Sequence, residues 1–515
     1  MRKIFIAVAM VTALSTTLSA QRMMPQALQK LINAEYAIST LYVDSVNEEK
    51  LIEDAIKGML ENLDPHSTYT DAKETKELEE PLQGEFSGVG IQFNMNKDTL
   101  YVIQTVPGGP SERVGVLAGD RIIMVNDSLI AGVKMKNSDI QKRLRGKKGT
   151  QVTIKVKRTG VPDLITFRIT RDNIPLHSID AQYMLDEHTG YLRISRFGAK
   201  THEEMMDALK SLEKQGMTQL IMDLSDNGGG YLNAAIDMCN EFLERGQLMV
   251  YTEGDNTPRN EANANGWGDY KDLPMVVIVN QYSASAAEIF AGAMQDWDRA
   301  PVVGRRTFGK GLVQKTVNFS DGSGLRLTMA RYYTPSGRCI QKPYNGKKDY
   351  EYYIYDRYAD GEMLSADSIK VDSSKVFKTK GGRTVFGGGG IIPDVFVPVD
   401  TTRASSFYMA CNRKATSMRF ASAWFDGHRA ELQQIDDFGK LKKYLDGAGL
   451  ESAFLAFASS KDGLKPASQA EWAAERKYMM TQVNALVGRY SKLGEDAFYH
   501  LYLATDNVFQ AAMKE

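Results

Sequence analysis

Three short segments carry residue types that can do covalent chemistry. In "NQYSASAAEIFAGAM", residues 280–294, Ser285 stands where the apolar run "PMVVIV" gives way to a helical pattern beginning at Ala286. A hydroxyl at a strand-to-helix turn is well placed to attack a carbonyl, and the helix start beside it exposes backbone N–H groups. The plain alternative is a capping box, since Ser285 and Glu288 fit Ser-x-x-Glu. Attack needs a base, and the six histidines (His66, His177, His188, His202, His428, His500) sit in no recognisable triad motif. No Gly-x-Ser-x-Gly elbow surrounds Ser285 either.

A lysine is the remaining candidate. In "TFGKGLVQ", Lys310 lies between two glycines, 25 residues after Ser285, with Gln314 four residues further on. To accept a proton its amine must be neutral, which means lowering its pKa from about 10.4 toward roughly 7 to 8. That shift costs on the order of 4 kcal/mol and is within reach of burial in a dry site. Gln314 can accept a hydrogen bond from the amine. The third segment, "DLSDNGGGYL", residues 223–232, follows another apolar run, and its glycine triplet leaves N–H groups open to a developing oxyanion. Taken singly, these are a helix cap, a surface lysine and a tight turn; together they supply nucleophile, base and oxyanion donors.

The elements that must position them alternate. From residue 174 to about 400, strand patterns ("GYLRISRFG", "QLIMDL", "MVVIV") precede helical ones ("THEEMMDALKSLEKQG", "YLNAAIDMCNEFLERG", "AAEIFAGAMQDW"), as in a layered α/β core. A hairpin follows, turning at "SDGSG". Residues 85–172 alternate short β-rich pieces with glycine turns and make a small β-rich module. Residues 27–63 read as two helices, the second with a Ser45/Glu48 capping box, and beyond Pro398 the pattern is helical to the end. The tyrosine-rich stretch at 344–358 reads as a solvated loop or short hairpin.

At 515 residues several domains are expected, and a net charge of −1 leaves no electrostatic footprint for nucleic acid. Arg2 and Lys3 before "IFIAVAMVTAL", with small residues up to Ala20, form a signal-peptide pattern, which predicts export to the periplasm. An uncleaved anchor is the alternative. Cys239, Cys339 and Cys411 give neither a disulfide framework nor metal-ligand spacing.

Together, "SASAAEIFAGAM", "GRRTFGKGLVQ", "DLSDNGGGYL" and "LTMARYYTPSGRCIQ" resemble the signature segments of the carboxyl-terminal processing proteases, serine peptidases with a Ser/Lys pair. The resemblance spans residues 31–400. It implies a crotonase-like layered α/β protease core at 173–400, an inserted PDZ domain at 83–172, and helical segments at 21–82 and 401–515 after a signal peptide at 1–20. It implies Ser285 as nucleophile, Lys310 as base, Gln314 as the lysine's orienting partner, and an oxyanion hole from the N–H groups of Ala286 and Gly229. "GVGIQF" resembles a carboxylate-binding loop, in which Gly88, Val89, Gly90 and Ile91 take the free C-terminus of a protein substrate; Ala118, Gly119 and Asp120 strengthen that reading. No cofactor and no metal are implied. Ser225 and Gly228 depart from the arginine and proline usual there, which predicts a looser oxyanion loop. The tail beyond Asp400 lies outside the resemblance and is expected to serve dimerisation or control of access; a homodimer and peripheral association with the membrane are further expectations. A catalytically dead PDZ adaptor or chaperone is the rival function, as is a hydrolase of small esters.

Overall fold

The computed structural model of the chain describes residues 25–96, 98–344, 347–402 and 405–515. The signal peptide expected over residues 1–20 lies outside the described residues. At the centre is a six-stranded sheet in the order Ile179–Met184, Thr189–Ile194, Gln219–Asp223, Met275–Val279, Val302–Gly304, Val395–Phe396. The first pair is antiparallel and the rest are parallel. Thr189–Ile194 and Met275–Val279 are buried at every residue, because layers cover both faces of the sheet.

Helices Thr201–Glu213, Leu232–Phe242 and Ala286–Asp296 form one covering layer, packing Leu209, Met238, Phe242 and Phe290 against Leu192, Met222 and Val277. The other face, with Tyr191, Ile221, Val276 and Ile278, packs on Leu503, Val508 and Phe509 from the end of the chain. The helical tail expected to lie outside the core therefore supplies its third layer. The rest of the tail builds its own core around Phe420, Phe425, Phe454, Met479 and Val483.

A second, antiparallel sheet runs Thr68–Thr70, Gly324–Tyr333, Leu248–Gly254, Thr257–Asn263, with Leu312–Asn318 also paired to Gly324–Tyr333. The β-rich module is an antiparallel sheet of Ile91–Asn96, Thr99–Thr105, Arg121–Val125, Gln151–Lys157 and Ile165–Thr170. Helix Asn137–Leu144 adds Ile140 and Leu144 to its core of Val102, Ile122, Ile154 and Ile169. Strands Glu85–Gly88 and Asp172–Pro175 pair where the chain enters and leaves it. The module is held to the tail by the ion pair Arg121 Nη2 to Asp426 Oδ2, 2.8 Å, and by Ala118 against the tail's core.

Several local expectations change. The helix Glu48–Leu60 is capped by Asn47, whose side chain accepts from Lys50 N, and not by Ser45. A third helix, Ala72–Gln83, follows, with Asp71 and Glu74 completing a capping box. The tyrosine-rich stretch is neither a loop nor a hairpin: it forms the helix Lys347–Ala359, with Tyr350 and Arg357 buried. Among the described residues no helix is long and apolar enough to cross a membrane.

Candidate active site

Ser285 caps the helix Ala286–Asp296 with φ +56° and ψ −115°, a conformation strained for a residue with a Cβ. Such strain costs about 1 to 3 kcal/mol and persists only when neighbours over-determine it. Here they do. The Ser285 N–H donates to Glu288 Oε2 at 2.8 Å, Tyr332 Oη donates to the Ser285 carbonyl at 3.1 Å, and Ala284 N donates to Asn227 O at 2.9 Å.

Glu288 is more than a cap residue. Fully buried, its carboxylate accepts from Ser285 N, from Thr307 Oγ1 (2.5 Å), from Gly309 N (2.7 Å) and from Lys310 N (2.9 Å). Burial pushes its carboxyl pKa up, against the pull of these donors. One side chain thus fastens the backbone of the serine to the backbone of the lysine segment. The capping-box spacing pointed to the first of these bonds; nothing in the sequence pointed to the others.

Lys310 and Ser285 line one cavity of about 310 Å³, together with Ala286, Gly230, Gln314 and Arg326. Lys310 Nζ donates to Gln314 Oε1 at 3.1 Å, and Gln314 Nε2 donates to the His66 carbonyl at 2.7 Å, which fixes the amide with its oxygen toward the lysine. Among the described residues Nζ makes this hydrogen bond and none to Ser285 Oγ. Burial, reinforced by the Arg326 cation, brings the Lys310 pKa down to about 8, against opposing pulls from Glu288 and Asp64. Burial and the Lys310 charge also hold His66 down at about 4, so its ring is neutral; Nε2 lies 2.7 Å from Tyr350 Oη in a hydrogen bond. Tyr350, on the tyrosine-rich helix, also stands with Phe308 and Tyr353 around Lys342 Nζ, at 3.7 to 4.6 Å from the ring centroids. That aromatic cage anchors the helix against the lysine segment.

The glycine segment differs in one detail from expectation. Gly229 lies against Ser285, but its N–H donates to Asn227 Oδ1 at 2.8 Å. The neighbouring Gly230 lines the cavity, and its N–H and that of Ala286 donate to no group among the described residues. The turn is not loose despite Ser225 and Gly228. Arg193, from the adjacent strand, reaches Asp223 (2.5 Å) and the Ser225 carbonyl (3.0 Å), while Asn227 Nδ2 donates to Ile194 O and Asn280 exchanges two hydrogen bonds with Asp226.

In the β-rich module Ile91–Asn96 is an edge strand. Before it, Val89 O accepts from Ser111 N and Oγ, and Gly90 turns with φ +71°. Gly88 is paired to Asp172 and Ile91 to Thr105, and the N–H groups of Val89 and Gly90 donate to no group among the described residues. A free loop amide beside a free strand edge is the arrangement that takes a peptide terminus. Asp120 is buried and held by Arg158 through two 2.7 Å bonds. Among the described residues no cluster of His, Cys, Asp and Glu side chains is placed to hold a metal ion.

Comparison with known proteins adds the family. The model for peptidase family S41 matches residues 188–351, that for the PDZ domain residues 87–169, and that for the activating protease CtpB N-terminal domain residues 7–75. The chain is 38% identical over 311 residues to the carboxy-terminal-processing protease of Bartonella bacilliformis, covering 59% of this chain and 70% of that protein. It is 34% identical over 333 residues to carboxy-terminal processing protease CtpB of Bacillus subtilis, covering 64% and 69%. Among solved structures, the photosystem II D1 C-terminal processing protease is 27% identical, with 71% of this chain and 92% of that one covered and a TM-score of 0.37. By these matches the chain belongs to the carboxy-terminal processing proteases, serine proteases of peptidase family S41, with a mixed α/β protease core, a PDZ domain and helical segments at either end.

Proposed function

We propose that the chain is an exported endopeptidase in which Ser285 attacks the scissile carbonyl and Lys310 is the general base. The observation that carries this is the shared cavity, in which burial brings the lysine amine to about 8 while Gln314 and Glu288 orient its two ends. Neutral Nζ takes the Ser285 proton as Oγ bonds to carbon, and the charge that forms on oxygen is met by the N–H groups of Ala286 and Gly230. Lys310 then gives its proton to the leaving amine, and water, activated by the same amine, releases the acyl group. In the resting arrangement Nζ is held by Gln314, so the reading requires it to swing to Oγ when substrate binds.

The PDZ domain takes the free C-terminus of the substrate on its loop at 88–91 and lays the preceding residues along the edge strand. The exposed apolar side chains of the helix Gln26–Leu41 (Leu28, Leu31, Ile32, Tyr36) favour a homodimer through the N-terminal helices. The test is turnover of an unfolded protein with an apolar C-terminus by wild type, Ser285→Ala and Lys310→Ala. A loss of about 1,000-fold or more is expected in each variant, whereas equal cleavage by all three refutes the pair. Amidating the substrate's C-terminus slows cleavage if the PDZ reading holds; unchanged turnover removes the carboxylate from recognition. N-terminal sequencing of the secreted form checks export, and a chain retained whole in the cytoplasm contradicts it.

A further inference from the structure

The cavity of Ser285 and Lys310 holds a cation with no side-chain partner among the described residues. Arg326 lies on the strand Gly324–Tyr333, flanked in register by Thr68 on one side and Thr316 on the other, and lines the same cavity as Ser285 and Lys310. The most deeply buried arginines of the core are matched to carboxylates: Arg193 to Asp223, Arg338 to Asp296, Arg306 and Arg357 to Glu362. The Arg326 guanidinium makes no ion pair and no hydrogen bond to any described residue. The lining contains Lys310, Lys315 and Arg326 but no aspartate or glutamate. A half-buried guanidinium has given up part of its hydration, and no described residue replaces it. Its planar fork of donors fits a carboxylate in a bidentate pair.

We propose that Arg326 is a carboxylate-binding subsite within the catalytic cavity, so that the enzyme favours substrates placing a negative charge beside the bond that is cut. The proposal rests on the Ser285/Lys310 reading of this cavity and adds a substrate class to it. The carboxylate has two sources, an acidic side chain flanking the scissile bond or the C-terminus of a substrate cut close to its end. Either one replaces the water that Arg326 has lost.

The test uses wild type, Arg326→Gln and Arg326→Lys with two pairs of peptides of one cleavage site. The first pair carries Glu or Gln in turn at each of the three positions on either side of that site, with amidated C-termini. The second carries Gln there and ends in a free acid or an amide. The readout is the ratio of kcat/KM within each pair. Any general effect of the substitution on Lys310 or on folding cancels in that ratio, and the PDZ domain's own preference for a free terminus is common to all three enzymes. Wild type is expected to favour the charged member of at least one pair by about 10- to 100-fold, as a charge-assisted hydrogen bond allows. In Arg326→Gln the first pair's ratio falls to near one and the second pair's falls to the preference that the PDZ domain alone supplies; both are intermediate in Arg326→Lys. A fall in the first pair's ratio alone identifies an acidic side chain, and in the second's alone the terminus. Ratios near one for both pairs in wild type, or ratios unchanged in Arg326→Gln, overturn the proposal. Failure of the Ser/Lys reading has a different signature, cleavage of the same peptides by Ser285→Ala at the wild-type rate.

Discussion

A single carboxylate, Glu288, joins two segments more than twenty residues apart and sets the distance between a strained serine and a buried lysine. The two reactive side chains are legible in the sequence because each stands out against its surroundings, a serine at the end of an apolar strand and a lysine between glycines. Gln314 is legible too, from its spacing, but the groups behind it are not. The His66 carbonyl, which accepts from Gln314, and Arg326, whose charge bears on the lysine, arrive through strand pairing and packing between distant parts of the chain, which no local pattern encodes. The lysine's burial has a stability consequence. Its folded pKa of about 8 lies below the unfolded value of 10.5, so the folded state binds fewer protons between those values and the lysine's contribution to stability rises with pH through that window. Below pH 8 the buried ammonium costs the fold on the order of 3 kcal/mol. Lys310→Met is therefore expected to raise Tm at pH 7 by roughly 5 °C, and to have little effect above pH 10.5. Calorimetry at the two pH values checks this, and a variant melting at or below wild type at pH 7 contradicts it.

At the scale of elements, the strands and helices of the core were readable from their 2.0 and 3.6 periods, including the βα succession and the hairpin. The tyrosine-rich helix was not, because its buried face of Tyr350 and Arg357 is polar in composition and meets its partners, the Lys342 amine and the Thr307 carbonyl, only in the folded core. The glycine segment shows a finer limit. Three glycines announce a close backbone approach, but which amide is free is decided by the Asn227 side chain, which occupies Gly229. Gly230 has φ +151°, and a Cβ there would stand 2.1 Å from the Phe197 carbonyl oxygen. Gly230→Ala is thus expected to displace the amide proposed to meet the oxyanion and to lower kcat by about 100-fold or more, with KM nearly unchanged. A kcat within threefold of wild type in steady-state assays would sink the assignment.

For the whole molecule, the tail is the main surprise. Its last helices close the second face of the central sheet while its middle helices hold the PDZ domain through Arg121, Asp426 and Ala118. Both contacts join residues hundreds of positions apart, so the apolar faces of these helices could be seen in the sequence and their destination could not. The N-terminal end is the reverse case. Helix Gln26–Leu41 buries none of its residues in the monomer, and among the described residues its apolar side chains Leu28, Leu31, Ile32 and Tyr36 stay exposed. Light scattering is expected to give a dimer for the chain at micromolar concentration and a monomer once residues 1–46 are removed; a monomeric parent would count against this role for the helix.

The proposed proton transfer from Ser285 to Lys310 is tested most directly by the rate at which a serine-directed phosphonate labels the protein, followed by mass spectrometry across pH. The account predicts a single adduct on Ser285, forming tenfold more slowly per pH unit below about 8 and not at all in Lys310→Met. Labelling at another residue, or a Ser285 rate that the lysine substitution leaves unchanged, would contradict it.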